Sequence, residues 1–185
     1  SQKLKVMPKN GYTSLFKKMI NNDKIKICLN TSYEDIKGHV KPKIATIYTG
    51  PPDTFFKYKH GKLQWRSLEF KFETKKKEKI QECVQINFPN DKKYTRKVEI
   101  KHVTKQKSKY STLSYEFPKS KGDPYYPIND KRNIGIFKIY EKVIKKLEKK
   151  HVYFEGRLAK YKYLNMDEVI ERALNLFNKL KRKYN

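Results

Sequence analysis

A chain of 185 residues is long enough for one domain or a little more. It carries 45 Lys and Arg against 19 Asp and Glu, a formal charge of +26 that by itself leans toward disorder. The aromatic content of 14%, with 14 Tyr and 10 Phe, excludes that class, because disordered chains are poor in aromatics.

Tyr12, Leu15, Phe16, Met19 and Ile20 follow helical spacing, so a short amphipathic helix is predicted over 12–21 after a Pro8–Gly11 turn. Ile25 to Leu29 alternates and predicts a strand. A second strand, 44–48, is stopped by Thr49-Gly50-Pro51-Pro52. Leu63, Trp65, Leu68, Phe70 and Phe72 mark a long strand with an irregularity near Ser67. Further strands are predicted at 83–88, through Val98, Ile100 and Val103, and at 111–117. From 63 to 117 strands follow one another with polar turns and no helix between, which argues an antiparallel sheet. The stretch 122–127 is too proline-rich for either regular element. A helix is predicted at 134–149, a short strand at 151–154, and a last helix from Met166 to about Lys183. That helix sets Met166, Val169, Ile170, Ala173, Leu174, Phe177 and Leu180 on one face and Arg172 on the exposed side. Asn165 is its N-cap, with Glu168 at the third helical position as in a capping box. The fold class is α+β, mostly antiparallel sheet with flanking helices.

The seven glycines are too far apart for G-x-G-x-x-G or a P-loop, so the sequence holds no phosphate-cradling glycine loop. Cys28 and Cys83 form no disulfide framework and no metal spacing, and His39, His60, His102 and His151 are isolated; no metal site is expected. No apolar run reaches the length of a membrane span, and the first residues have no apolar signal core, so a reduced, cytoplasmic setting is expected. The lysines are spread along the whole chain, whereas a nucleic-acid footprint is a patch or stripe. Arginines are scarce, which makes their positions informative. Arg66, Arg96 and Arg157 stand in or beside strands, and Arg gives bidentate phosphate recognition that Lys does not. No nucleophile with a partnered base is found, so any catalysis would rest on a cofactor or another segment.

Six motifs, in order, carry a resemblance. They are Met7-Pro8-Lys9-Asn10-Gly11-Tyr12-Thr13, Ile47-Tyr48-Thr49-Gly50-Pro51-Pro52-Asp53 and Gly61-Lys62-Leu63-Gln64-Trp65-Arg66-Ser67-Leu68. Then come Ile86-Asn87-Phe88-Pro89 with Tyr94-Thr95-Arg96, Pro124-Tyr125-Tyr126-Pro127, and Gly156-Arg157-Leu158-Ala159 with Tyr161, Tyr163, Met166 and Asp167. Together they resemble the C-terminal half of UDP-galactopyranose mutases. The family's G-x-G-x-x-G flavin fingerprint, which lies in its first half, has no counterpart here.

The resemblance implies an FAD-dependent mutase of α/β flavoprotein type. It interconverts UDP-galactopyranose and UDP-galactofuranose through a reduced-flavin N5 sugar adduct, for which the cofactor supplies the nucleophile. It assigns catalytic roles to Arg96 and Arg157. Arg96 would bind the UDP diphosphate and stabilise its growing charge. Asn87, Arg96, Tyr126 and Tyr163 would bind substrate. Arg66, Arg157, Asn165, Met166 and Asp167 would lie toward FAD, with the helix start favouring an anionic flavin. Asn165 stands where the family usually has Asp, which keeps the cap and drops a charge. Three segments are implied: 1–43 flanking the flavin domain, 44–125 as an antiparallel substrate-binding sheet, and 126–185 returning to the FAD domain. The expected partners are UDP-galactose, the missing N-terminal half or a complementary chain, and a second copy as homodimer; neither a membrane nor nucleic acid is expected. The other reading is a non-catalytic basic nucleotide- or nucleic-acid-binding module.

Overall fold

A computed structural model describes residues 7–184. The chain forms two compact units. One takes the described residues up to Ile36 together with Leu68–Pro118; the other takes Lys37–Ser67 and the described residues from Lys119 on. Helices and strands are mixed, as an α+β fold requires.

The first unit opens with α1 (Gly11–Ile20) and a single helical turn, α2 (Tyr33–Ile36). The segment 25–29 between them is not a strand. It starts after a turn in which Ile25 N–H bonds Asn22 O, and it ends at Asn30, whose φ is +53°. Alternation makes a strand only where another strand supplies hydrogen bonds, and no strand lies beside this segment among the described residues. Its Leu29 is 80% exposed.

The sheet of this unit is built from β2 (Trp65–Lys75), β3 (Gln85–Asn87), β4 (Arg96–Val98) and β5 (Ser111–Lys119), in the order β3-β4-β5-β2. The pairs β3–β4 and β4–β5 are antiparallel. β2 runs without a break at Ser67. The strand expected through Ile100 and Val103 stops at Val98, and Lys101–Thr104 is instead one helical turn, α4. The cause is Glu99, which turns inward with no exposure. Its carboxylate accepts the N–H groups of Ile80 at 3.0 Å and Gln81 at 2.8 Å and the Ser111 hydroxyl at 2.5 Å.

The second unit holds β1 (Thr46–Tyr48), the turn α3 (Pro52–Phe55), β6 (Tyr126–Pro127), α5 (Lys131–Glu148), β7 (Val152–Phe154) and α6 (Met166–Tyr184). Its strands β1 and β7 pair in parallel, Thr46 with Val152 and Tyr48 with Phe154. The proline-rich stretch does form strand structure: β6 pairs antiparallel with the first residues of β2, Arg66 opposite Tyr126 and Trp65 opposite Pro127. Pro127 has no N–H to give, and the flanking bonds Tyr125 N–H to Arg66 O and Ile128 N–H to Gln64 O carry the ladder around it.

The core of this unit is Leu63, Tyr140, Ile144, Phe154, Ala159 and Tyr161, with Phe56 stacked on Tyr140 and on Phe154. Helix α5 starts where Asp130 accepts the Asn133 N–H at 2.7 Å. Tyr140, Ile144 and Leu147 then recur on its inner face. Among the described residues no helix is long and apolar enough to cross a membrane.

Candidate functional site

In the second unit the chain leaves β7 through Gly156, whose φ of +102° suits glycine. A tight turn follows, closed by Lys160 N–H to Gly156 O at 3.0 Å and Lys162 N–H to Arg157 O at 3.2 Å. Tyr161 fastens this turn to the proline-rich segment. Its hydroxyl lies 2.5 Å from Gln64 O and 3.0 Å from Ile128 O and accepts Ile128 N–H, while its ring meets Trp65 edge-on at 4.9 Å. Three expected site residues are thereby gathered. The rings of Tyr126 and Tyr163 stack at 5.6 Å, only 8° from parallel. The Arg157 guanidinium lies 4.2 Å from the Tyr163 centroid and 5.3 Å from that of Tyr126, and it donates to Tyr125 O. Cation–π contact fixes the plane of the fork, and the guanidinium has five N–H donors in all. Tyr163 is half exposed, so the cluster opens to solvent. Arg66 reaches the same neighbourhood through its backbone pairing with Tyr126, and its side chain is exposed.

Asn165, Met166 and Asp167 lie at the start of α6. Asn165 N–H bonds Glu168 Oε2 at 2.7 Å, which is one half of the expected capping box. Asp167 and Glu168 therefore set two carboxylates in the first turn. Arg172 does not stand on an exposed face. It is half-buried and pairs with Glu155 at 3.4 Å, and Lys160 approaches the same carboxylate at 3.7 Å. Glu155 also accepts the Gly156 N–H at 3.1 Å, so it braces the turn that carries Arg157. The sequence marks Glu155 only by its place beside Gly-Arg, too weak a sign to single it out.

In the first unit Arg96 occupies the centre of a cross-strand row, opposite Asn87 on one side and Glu116 on the other. Its Nε donates to Asn87 Oδ1 at 3.3 Å and its Nη1 lies 3.3 Å from Glu116 Oε2. Glu116, which sequence reasoning did not name, neutralises part of this guanidinium and fixes its direction. On the other face of the sheet Tyr115 donates to Glu73 at 2.8 Å; burial, with the Glu73 carboxylate beside it, pushes the Tyr115 hydroxyl up to about 12.

A family model described as UDP-galactopyranose mutase matches residues 1–163. A UDP-galactopyranose mutase of Mycoplasma genitalium is 36% identical over 89% of this chain and 44% of its own length. A dTDP-fucopyranose mutase of Escherichia coli is 34% identical over 93% of this chain and 48% of its own. A UDP-galactopyranose mutase of Mycoplasma pneumoniae is 33% identical over 91% and 46%. With a mixed α+β fold, and with Arg66, Arg96, Tyr126, Arg157 and Tyr163 inside the matched span, the chain belongs to the UDP-galactopyranose mutase family. It spans about half the length of the curated relatives it matches.

Proposed function

We propose that this chain is the substrate-side part of a sugar-nucleotide mutase that interconverts UDP-galactopyranose and UDP-galactofuranose. The observation that carries the reading is the Arg157 guanidinium held against the parallel rings of Tyr126 and Tyr163 within the matched span. A planar cation fixed in direction, beside two phenol hydroxyls, suits the oxygens of a diphosphate. As the bond from sugar to diphosphate breaks, negative charge grows on the leaving oxygen. A guanidinium already oriented stabilises that charge without reorganising. Within the first unit, Arg96 aimed by Asn87 and Glu116 is the phosphate candidate, and Asn87 the substrate candidate.

FAD, when bound in reduced form, supplies the nucleophile that displaces the nucleoside diphosphate. The residues present fit one side of a flavin site. Arg66 and Arg157 would hold it with their side chains, and Met166 and Asp167 with the backbone of the α6 start. Asn165 cannot offer its own N–H while Glu168 accepts it. The two carboxylates in the first turn of α6 oppose an anionic flavin there, so Arg157 is the stronger holder. A cytoplasmic setting accords with this reading.

A sugar nucleotide of the dTDP class is the second reading, because one relative is named for such a substrate. Titration of UDP and dTDP into the chain, followed by calorimetry, separates them. Arg157→Ala is expected to weaken nucleotide binding by about tenfold or more, and Arg157→Lys not to restore it, since Lys lacks the fork. Lys142→Ala, an exposed position on α5, serves as control. Unchanged binding by Arg157→Ala overturns the assignment, and tighter binding of dTDP moves it to the second reading.

A further inference from the structure

Glu99 ties together two segments of the first unit that are far apart in sequence. Its carboxylate accepts Ile80 N–H at 3.0 Å and Gln81 N–H at 2.8 Å, which anchors the first segment. It also lies 3.3 Å from His102 Nε2, in the α4 turn, which anchors the second. That nitrogen carries its hydrogen, because Gln81 O, 2.8 Å away, can only accept. The turn closes at Lys105, whose N–H bonds Lys101 O at 2.9 Å and whose φ is +55°. Lys101 Nζ donates to Ser108 O at 2.5 Å and Tyr110 O at 3.0 Å, which draws the following loop back over the turn. The two segments share a cavity of about 390 Å³. Lys79 lines it from the first segment, and Lys101, His102, Lys105 and Lys107 line it from the second. Glu78 is the one acid in its described lining.

Along the sequence the lysines are spread, but here the fold gathers four of them around one space. Ammonium groups that face a common cavity repel one another, and one carboxylate does not offset four. A bound polyanion removes that repulsion. No arginine lines the cavity, so planar bidentate recognition of a carboxylate has no fork to use. Lysine is a point charge, which takes phosphate oxygens from any direction. No Tyr, Phe or Trp lines the cavity either, so a nucleobase finds no ring to stack on. We propose that this cavity is an anion site for a free inorganic oligophosphate, of the diphosphate class or larger. Glu99 is its positioning residue, since it fastens both segments without facing the anion itself. The site belongs to the first unit, whereas Tyr126, Arg157 and Tyr163 belong to the second, and it does not rest on the proposed function.

The test titrates inorganic pyrophosphate into the full chain by calorimetry at low salt, with backbone amide NMR to locate the site. Binding is expected to move the signals of Ile80, Gln81 and residues 101–108. It should be tighter than binding of orthophosphate, which carries less charge. Lys105→Gln with Lys107→Gln is expected to weaken it by at least about tenfold, because each change removes a charge-assisted contact. Both side chains are exposed, so circular dichroism and the melting temperature without ligand should match the wild type. The rise in melting temperature that pyrophosphate gives the wild type should shrink in the variant. Arg157→Ala should leave these signal shifts intact, which separates this site from the nucleotide contact. Pyrophosphate binding indifferent to the double variant, or shifts confined to residues outside the two segments, overturns the proposal. So does citrate bound as tightly as pyrophosphate, which would make the site one for carboxylates. Attachment to phosphatidylglycerol vesicles through the same lysines, without binding of free pyrophosphate, overturns it as well.

Discussion

Glu99 is fully buried in a chain crowded with lysine, and the groups that hold its carboxylate are the Ser111 hydroxyl, two backbone N–H groups and His102. Burial alone would raise its carboxyl. The Ser111 hydroxyl, the N–H groups of Gln81 and Ile80, and His102 at 3.3 Å outweigh burial and hold it below the ordinary carboxylate range. A carboxyl depressed in the folded state stabilises the fold above the ordinary range and loses that contribution as pH falls through the depressed value. Glu99→Gln is expected to cost on the order of 2–3 kcal/mol at neutral pH, since an amide presents one oxygen where two now accept. Urea melts at a series of pH values check this. The wild-type chain should lose stability as acid protonates Glu99, and the variant should show a flatter profile. Identical slopes would remove Glu99 from the account.

Among the elements, α5 shows how local chemistry sets a boundary. Asp130 accepts both the backbone N–H and the Nδ2 of Asn133, and buried Asn133 in turn accepts Gln64 N–H at 3.1 Å. The helix start is thereby tied to the chain that leads into β2. Asp130→Ala is expected to cost about 1 kcal/mol or somewhat more, seen as a lower melting temperature, while Asp130→Asn should recover most of it. The long elements were legible because periodicity is strong over many residues: α5, α6, β2 and β5 all lie where apolar spacing places them. Arg157, Tyr126 and Tyr163 were legible as motif positions, though nothing local shows that a tight turn, a two-residue strand and a Tyr161 hydroxyl bring them together. The misses have one physical origin, a dependence on distant partners. Residues 25–29 alternate but find no neighbouring strand. The turn at Lys101–Thr104 exists because Glu99 dives inward toward Ile80 and Gln81. Tyr126 and Pro127 pair only because Arg66 and Trp65 lie opposite.

For the whole molecule, the consequence of a missing glycine-rich loop is direct. A flavin's pyrophosphate needs backbone N–H groups that this sequence does not arrange. The purified chain is therefore expected to show no bound flavin in its visible spectrum. Stoichiometric flavin on the chain alone would overturn that expectation. The net charge of +26 adds a second reading at this scale. Binding of an anionic nucleotide should fall as salt rises. A shallow dependence in Arg157→Ala, against a steep one in the wild type, would mark the share of the specific contact.

The pairing of Thr46 with Val152 also sets an order of events during synthesis. The chain visits its two units alternately, and the first unit's sheet, Leu68–Pro118, lies between the two strands of the second. β1 leaves the ribosome early but has no sheet partner until Val152–Phe154 emerges. By then the intervening antiparallel strands, with their shorter loops, can already be in place. Ile44 and Ile47 wait unpaired through that interval, when a half-made chain is most open to wrong contacts. The dense lysine coat gives the unfinished polypeptide a self-repelling surface while it waits.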